Sequence, residues 1–135
     1  MKQLAFLSSI TMVVLLVAGL IASPACAVTI GVRARGTAGS ESINLTVGGS
    51  TIATWTLTTS MATRTATTSL SGSCNVVFTN DASGRDVQVD YITVDGSTRQ
   101  AEDQATNTGV WQNGSCGGSY SEWLHCNGYI SFGDV

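Results

Sequence analysis

The sequence predicts an all-β domain, a sandwich or barrel, over residues 28–135. Three observations carry this expectation. Apolar residues alternate with period two from Val28 onward. No stretch of helix length in this region shows a helical apolar stripe. The same region is rich in threonine and glycine and holds no lysine and no proline, a composition suited to strands and turns.

The elements follow in order. Val28, Ile30, Val32 and Ala34 share one face of a first strand, and Ile43, Leu45 and Val47 one face of a second. Gly48, Gly49 and Ser50 turn the chain into a strand over 51–57, a hairpin signal. Trp55 lies there between Ala53 and Leu57 and is expected in the core. Residues 64–68, 75–79, 87–94 and 129–132 read as further strands. Short strands with Gly, Ser and Asn turns and no helices make a sandwich or barrel. There is no repeat and no internal linker.

Residues 1–27 are set aside as a secretory signal. Lys2 gives a positive start, residues 10–22 are uncharged, and Ala25, Cys26 and Ala27 supply small residues for cleavage after Ala27. A membrane anchor is the weaker reading, because a span needs about 20 apolar residues and no stop-transfer charges follow. A lipid anchor on Cys26 is disfavoured by its lead-in, Ser23, Pro24 and Ala25. The expected location is extracellular, with no membrane association after cleavage.

Residues 28–135 are one domain by length. The full chain has a net charge of −3 and no basic patch, which argues against nucleic acid and anionic membrane as partners. Export permits disulfides. Cys116 and Cys126 bracket one Gly/Ser-rich loop and are the expected pair, a closure worth roughly 3 kcal/mol in the chain-entropy treatment. Cys74 is left over, read as a buried thiol in preference to an intermolecular bridge.

Most of the nine acids fall between residues 81 and 103: Asp81, Asp86, Asp90, Asp95, Glu102 and Asp103. Like charges this dense repel unless they are solvated or share a cation. Calcium takes six to eight hard oxygen ligands in flexible geometry, and Asp81 and Asp86 flank a turn through Gly84. A calcium site and a solvated acidic turn both remain open on spacing alone. Asp90 sits on a strand with apolar residues at both parities, at the margin of the core, where it needs an arginine, a proton or a metal. Residues 109–128 change in texture, mixing Gly, Ser and Asn with Trp111, Tyr120, Trp123 and the chain's one histidine, His125. So long a loop is usually functional or disordered, and the expected disulfide argues for order.

Several unusual motifs then occur in one order: VRARG, INLTVGGSTIATWTLTTSM, FTNDASGRDVQVDYITVDG, and RQAEDQATNTGVWQNGSCGGSYSEWLHCNGYISFG. Together they resemble a family 60 carbohydrate-binding module over nearly all of residues 28–135. The tail is similar to the beginning of the related family 6, 35 and 36 modules, and NDASGRDVQVDYI to their end, the order a circular permutation produces.

The resemblance implies a single jelly-roll-like β-sandwich that binds a xylan- or galactan-class polysaccharide through calcium and does not cleave it. It implies a sugar-site calcium, bonded to adjacent sugar hydroxyls and held by Asp81, Asp86 and the main-chain carbonyl of Arg85. A second, structural calcium would use Asp90, Gln100 and Glu102. Trp111 is the first choice for packing on a sugar ring, followed by Tyr120 and Trp123, although each also suits a core position.

An enzyme is the first rival. His125 has no nucleophile motif near it, and the acids cluster at one turn without the cleft that carboxylate-pair glycosidases need. Any enzyme is expected on a separate polypeptide. The second rival is a structural or fibre-forming protein on the same calcium-stapled fold. Its edge strands lack the usual lysine and proline guards, and Cys74 is spare, so a homo-oligomer stays open.

Overall fold

The computed structural model describes Gly19 and residues 26–135. The expected signal segment, 1–27, lies outside the described residues except for Gly19, Cys26 and Ala27. The described chain forms two antiparallel sheets packed face to face, a β-sandwich.

The first sheet contains β1 (Val28–Gly36), β4 (Ala62–Thr68), β6 (Val87–Val94), β7 (Ser97–Gln100) and β10 (Trp123–Leu124). Its order is β10-β6-β1-β4, and β7 also pairs with β6. Thus β10 and β7 share one edge of β6, β10 at Val87 and Gln88 and β7 from Tyr91 to Val94. The second sheet runs β3-β2-β5-β11-β8-β9. It uses β2 (Ser42–Val47), β3 (Ser50–Thr56), β5 (Ser73–Phe78), β8 (Asn107–Gln112), β9 (Ser115–Gly118) and β11 (Gly128–Asp134).

The period-two positions meet between the sheets. Ile30, Val32 and Ala34 of β1 face Ile43, Leu45 and Val47 of β2 across a core completed by Val76, Phe78, Val87, Val89, Ile92, Leu124 and Ile130. Trp55, expected in the core, is half-buried at its margin and packs against it. Gly48 and Gly49 join β2 to β3 at positive φ, 58° and 84°, the left-handed pair that a two-residue hairpin needs. Cys74 is a buried free thiol in the core, and burial pushes its pKa up to about 11 against a smaller opposing influence from Arg99.

Two expectations are corrected. Residues 109–128 are largely strand: β8 and β9 form a hairpin and β10 joins the other sheet. Strand 87–94 is not apolar on both faces. Its register with β1 steps from Ala34 opposite Val89 to Arg33 opposite Tyr91. Asp90 is therefore the extra residue of a β-bulge, and the alternation changes phase across it. Val87 and Val89 before the bulge, and Ile92 after it, all reach the core. Asp90 itself is 38% exposed and accepts a hydrogen bond from Arg33 Nε at 3.0 Å, which makes arginine the partner its charge requires.

Candidate functional site

The turn between β5 and β6 carries Asp81, Arg85 and Asp86. Gly84, at φ 77°, allows the tight reversal, and Arg85 N–H closes it onto the Ala82 carbonyl at 3.0 Å. The backbone at both acids is anchored. Asp81 N–H donates to Asn127 Oδ1 at 2.8 Å. Asp86 N–H donates to Thr37 Oγ1 at 2.9 Å, and its carbonyl accepts Thr37 N–H at 3.0 Å.

The two carboxylates are left uncommitted. Among the described residues neither accepts a hydrogen bond, and the one ion pair is Arg33–Asp90. Arg85 turns its side chain to Ser40 Oγ at 3.1 Å and the Asn80 carbonyl at 3.3 Å. Anchored backbone, free carboxylate oxygens and an exposed Gly turn fit a hard, oxygen-seeking cation. Among the described residues no three acid, histidine or cysteine side chains gather into a metal cage. A cation at this turn would therefore draw on the two carboxylates and on main-chain oxygen, leaving positions for outside ligands.

Glu41, which no motif or spacing in the sequence marks out, is fully buried beside this turn. Its carboxylate accepts N–H bonds from Ala38 at 2.6 Å, Gly39 at 2.8 Å and Ser40 at 2.9 Å. Burial by itself would raise its pKa. The N–H donors of Ala38, Ser40, Gly39 and Glu41 itself outweigh burial and hold it below the ordinary carboxylate value.

The β8–β10 region supplies the aromatic residues. Cys116 and Cys126 form the expected disulfide, with their Cα atoms 6.2 Å apart. Next to it, His125 Nδ1 accepts the backbone N–H of Trp111 at 3.0 Å, and its ring stacks on Trp123 with centroids 5.9 Å apart. Trp111 is left 57% exposed. The residue after Cys126 is Asn127, the anchor of Asp81, so one short segment ties the disulfide hairpin to the acid turn. Tyr120, 65% exposed, is held elsewhere, its N–H donating to the Gln104 carbonyl at 2.8 Å.

The second expected acid group is brought together by the backbone. Ala101 N–H donates to the Asp90 carbonyl at 3.1 Å, placing Gln100 and Glu102 on either side of that contact. Their side chains have different commitments: Asp90 faces Arg33, while Glu102 is exposed. The Gln100 carbonyl already accepts the Gln104 Nε2 donor at 2.7 Å.

The sequence profile of CBM60, described as a calcium-dependent, xylan-binding carbohydrate-binding module, matches residues 29–108. The chain belongs to carbohydrate-binding module family 60. Two solved structures of vCBM60 share its fold. One, described as a circular-permutation link between two families of calcium-dependent carbohydrate-binding modules, is 66% identical with a TM-score of 0.79, covering 79% of this chain and 91% of that one. The other, vCBM60 in complex with galactobiose, is 67% identical with a TM-score of 0.78, covering 79% and 99%. Two Cellvibrio japonicus proteins also carry a similar module. Endo-1,4-beta-xylanase Xyn11B is 67% identical over 77% of this chain and 30% of its own length. A bifunctional xylanase/xylan deacetylase is 60% identical over 76% of this chain and 16% of its own length. The chain thus spans less than a third of either enzyme, and what it shares with them is a carbohydrate-binding module.

Proposed function

We propose that this CBM60 module is exported, binds xylan- or galactan-class polysaccharide through calcium, and performs no hydrolysis. The observation that carries this reading is the pair of carboxylates, Asp81 and Asp86, that accept no hydrogen bond among the described residues and sit on an anchored, exposed turn. Asp81, Asp86 and the Arg85 carbonyl would hold the ion, which when bound supplies a Lewis-acidic point for vicinal sugar hydroxyls. Trp111, with its backbone fixed by His125, offers an exposed indole face to the C–H face of a sugar ring. Tyr120 and Trp123 are the secondary aromatic contacts. A second, stabilising ion is assigned to Asp90, Gln100 and Glu102, where binding requires Asp90 to share or leave Arg33.

Affinity gels containing xylan or galactan test the reading, run with calcium and with chelator alongside a reducing-sugar assay. Calcium-dependent retardation without new reducing ends is expected. Retardation that survives chelator, or sustained release of reducing sugar by the pure protein, would refute it.

A further inference from the structure

Glu41 lies outside the proposed ligand set, yet the loop it organises holds the ligand turn. Its carboxylate gathers the N–H groups of Ala38, Gly39 and Ser40, and Thr37 Oγ1 lies 3.2 Å from its Oε1. The same loop then grips the acid turn at successive points. Thr37 exchanges backbone and hydroxyl hydrogen bonds with Asp86, and its hydroxyl lies 3.1 Å from the Gly84 carbonyl. Ser40 Oγ accepts from Arg85 Nε, and the Ser40 carbonyl accepts from Asn80 Nδ2 at 2.9 Å. Asn80 Oδ1 in turn accepts Ser42 N–H at 2.6 Å. The contact leaves no slack: a Cβ added at Gly36 would collide with the Glu41 carboxylate.

We infer that Glu41 is a positioning residue for cation binding: through the 37–40 loop it sets the backbone of the 81–86 turn, and Thr37 is the link between the two. A fully buried carboxylate satisfied by main-chain donors freezes a loop that would otherwise sample many conformations. That loop presents Asp86 and Arg85 in one geometry. This inference rests on the proposed calcium reading.

The test is calorimetric titration with calcium chloride alone, without sugar, on the wild type, Glu41→Gln, Thr37→Val and Thr37→Ser. A melting curve in chelator accompanies each protein. Glutamine keeps the size of Glu41 but turns an amide donor toward N–H groups that need an acceptor. Glu41→Gln and Thr37→Val are each expected to weaken calcium binding about tenfold. Thr37→Ser, which keeps the hydroxyl, should stay close to wild type. Thr37→Val should melt in chelator within a few degrees of wild type, which separates positioning from general stability. If Glu41→Gln does not fold, Thr37→Val decides. Wild-type calcium affinity in either folded variant, or equal impairment in Thr37→Ser and Thr37→Val, would overturn the role. If the wild type itself takes up no calcium, the calcium reading falls and this role with it.

Discussion

The imidazole Nδ1 of His125, just beyond β10, accepts the backbone N–H of Trp111, on β8 of the β8–β9 hairpin, at 3.0 Å. The bond fixes the path of β8 at the one tryptophan left largely exposed. It also sets the tautomer, since Nδ1 must carry the lone pair and Nε2 the proton. His125, which has no nucleophile motif near it, thus positions the leading aromatic candidate.

Trp111→Ala should reduce polysaccharide retention about tenfold or more, because an aromatic face contributes apolar area and a stacking term together. His125→Ala should give a smaller, several-fold loss with Trp111 still present. His125→Asn, which keeps an acceptor near the same place, should recover part of it. Affinity gels on the three variants measure this ordering, and equal retention in His125→Ala and wild type would remove the positioning role.

Asp81→Ala or Asp86→Ala should abolish retention while leaving the melting temperature in calcium-free buffer nearly unchanged, since neither carboxylate accepts a hydrogen bond among the described residues. Asp90→Ala and Glu102→Ala should instead lower the melting temperature in calcium, because an ion that binds only the folded state stabilises it by mass action. Asp90→Ala should also cost some stability in chelator, through the stranded Arg33. Chelator should reproduce the first two effects in the wild type. Calcium-dependent retention by Asp81→Ala would place the sugar site elsewhere.

Cys116→Ser with Cys126→Ser should lower stability by roughly 3 kcal/mol from the loop-closure term. Polysaccharide retention should weaken as well, because the bridge tethers the hairpin carrying Trp111 to the segment carrying Asn127. Cys74 should resist thiol reagents in the native state and react on unfolding, its thiol being buried and its pKa raised to about 11. Denaturant unfolding and affinity gels on the double variant check the first statement, and thiol counting with and without denaturant checks the second.

The buried Glu41 predicts an acid limit. Its folded pKa lies below the unfolded value near 4.5, so its ionisation adds stability above that pH, lost as pH falls through the folded value. Glu41→Gln should therefore melt well below wild type at neutral pH, with the gap narrowing as acid protonates the wild-type side chain. Melting curves from pH 3 to pH 7 on both proteins decide it. A gap constant throughout would show that the charge contributes nothing to the fold.

Much of the sandwich was legible because half-buried strands write their burial into every second residue. Ile30, Val32 and Ala34, and Ile43, Leu45 and Val47, are core positions as read. Strands β7 and β9 were not legible that way, since Ser97–Gln100 and Ser115–Gly118 carry no apolar alternation. Their turns did carry a signal. Asp95-Gly96 and Asn113-Gly114 are the Asx-Gly pairs that favour two-residue hairpins, and all four residues adopt positive φ. The bulge at Asp90 left no mark beyond apolar residues of both parities, which a strand covered on both sides shows equally well.

Sequence by itself determined the all-β class, the Cys116–Cys126 pairing, the acid-rich turn and the family, because each depends on residue type and order along the chain. Tertiary structure decided which groups have partners. Arg33 is distant in sequence from Asp90 but neighbours it across β1 and β6. Asn127 reaches Asp81, His125 reaches Trp111, and the loop built on Glu41 reaches Asp86, each across a connection that only sheet pairing brings together. Whether a carboxylate is spent on a neighbour or free for a cation depends on contacts a few ångströms long between segments far apart in the chain, and only the packed sheets create them.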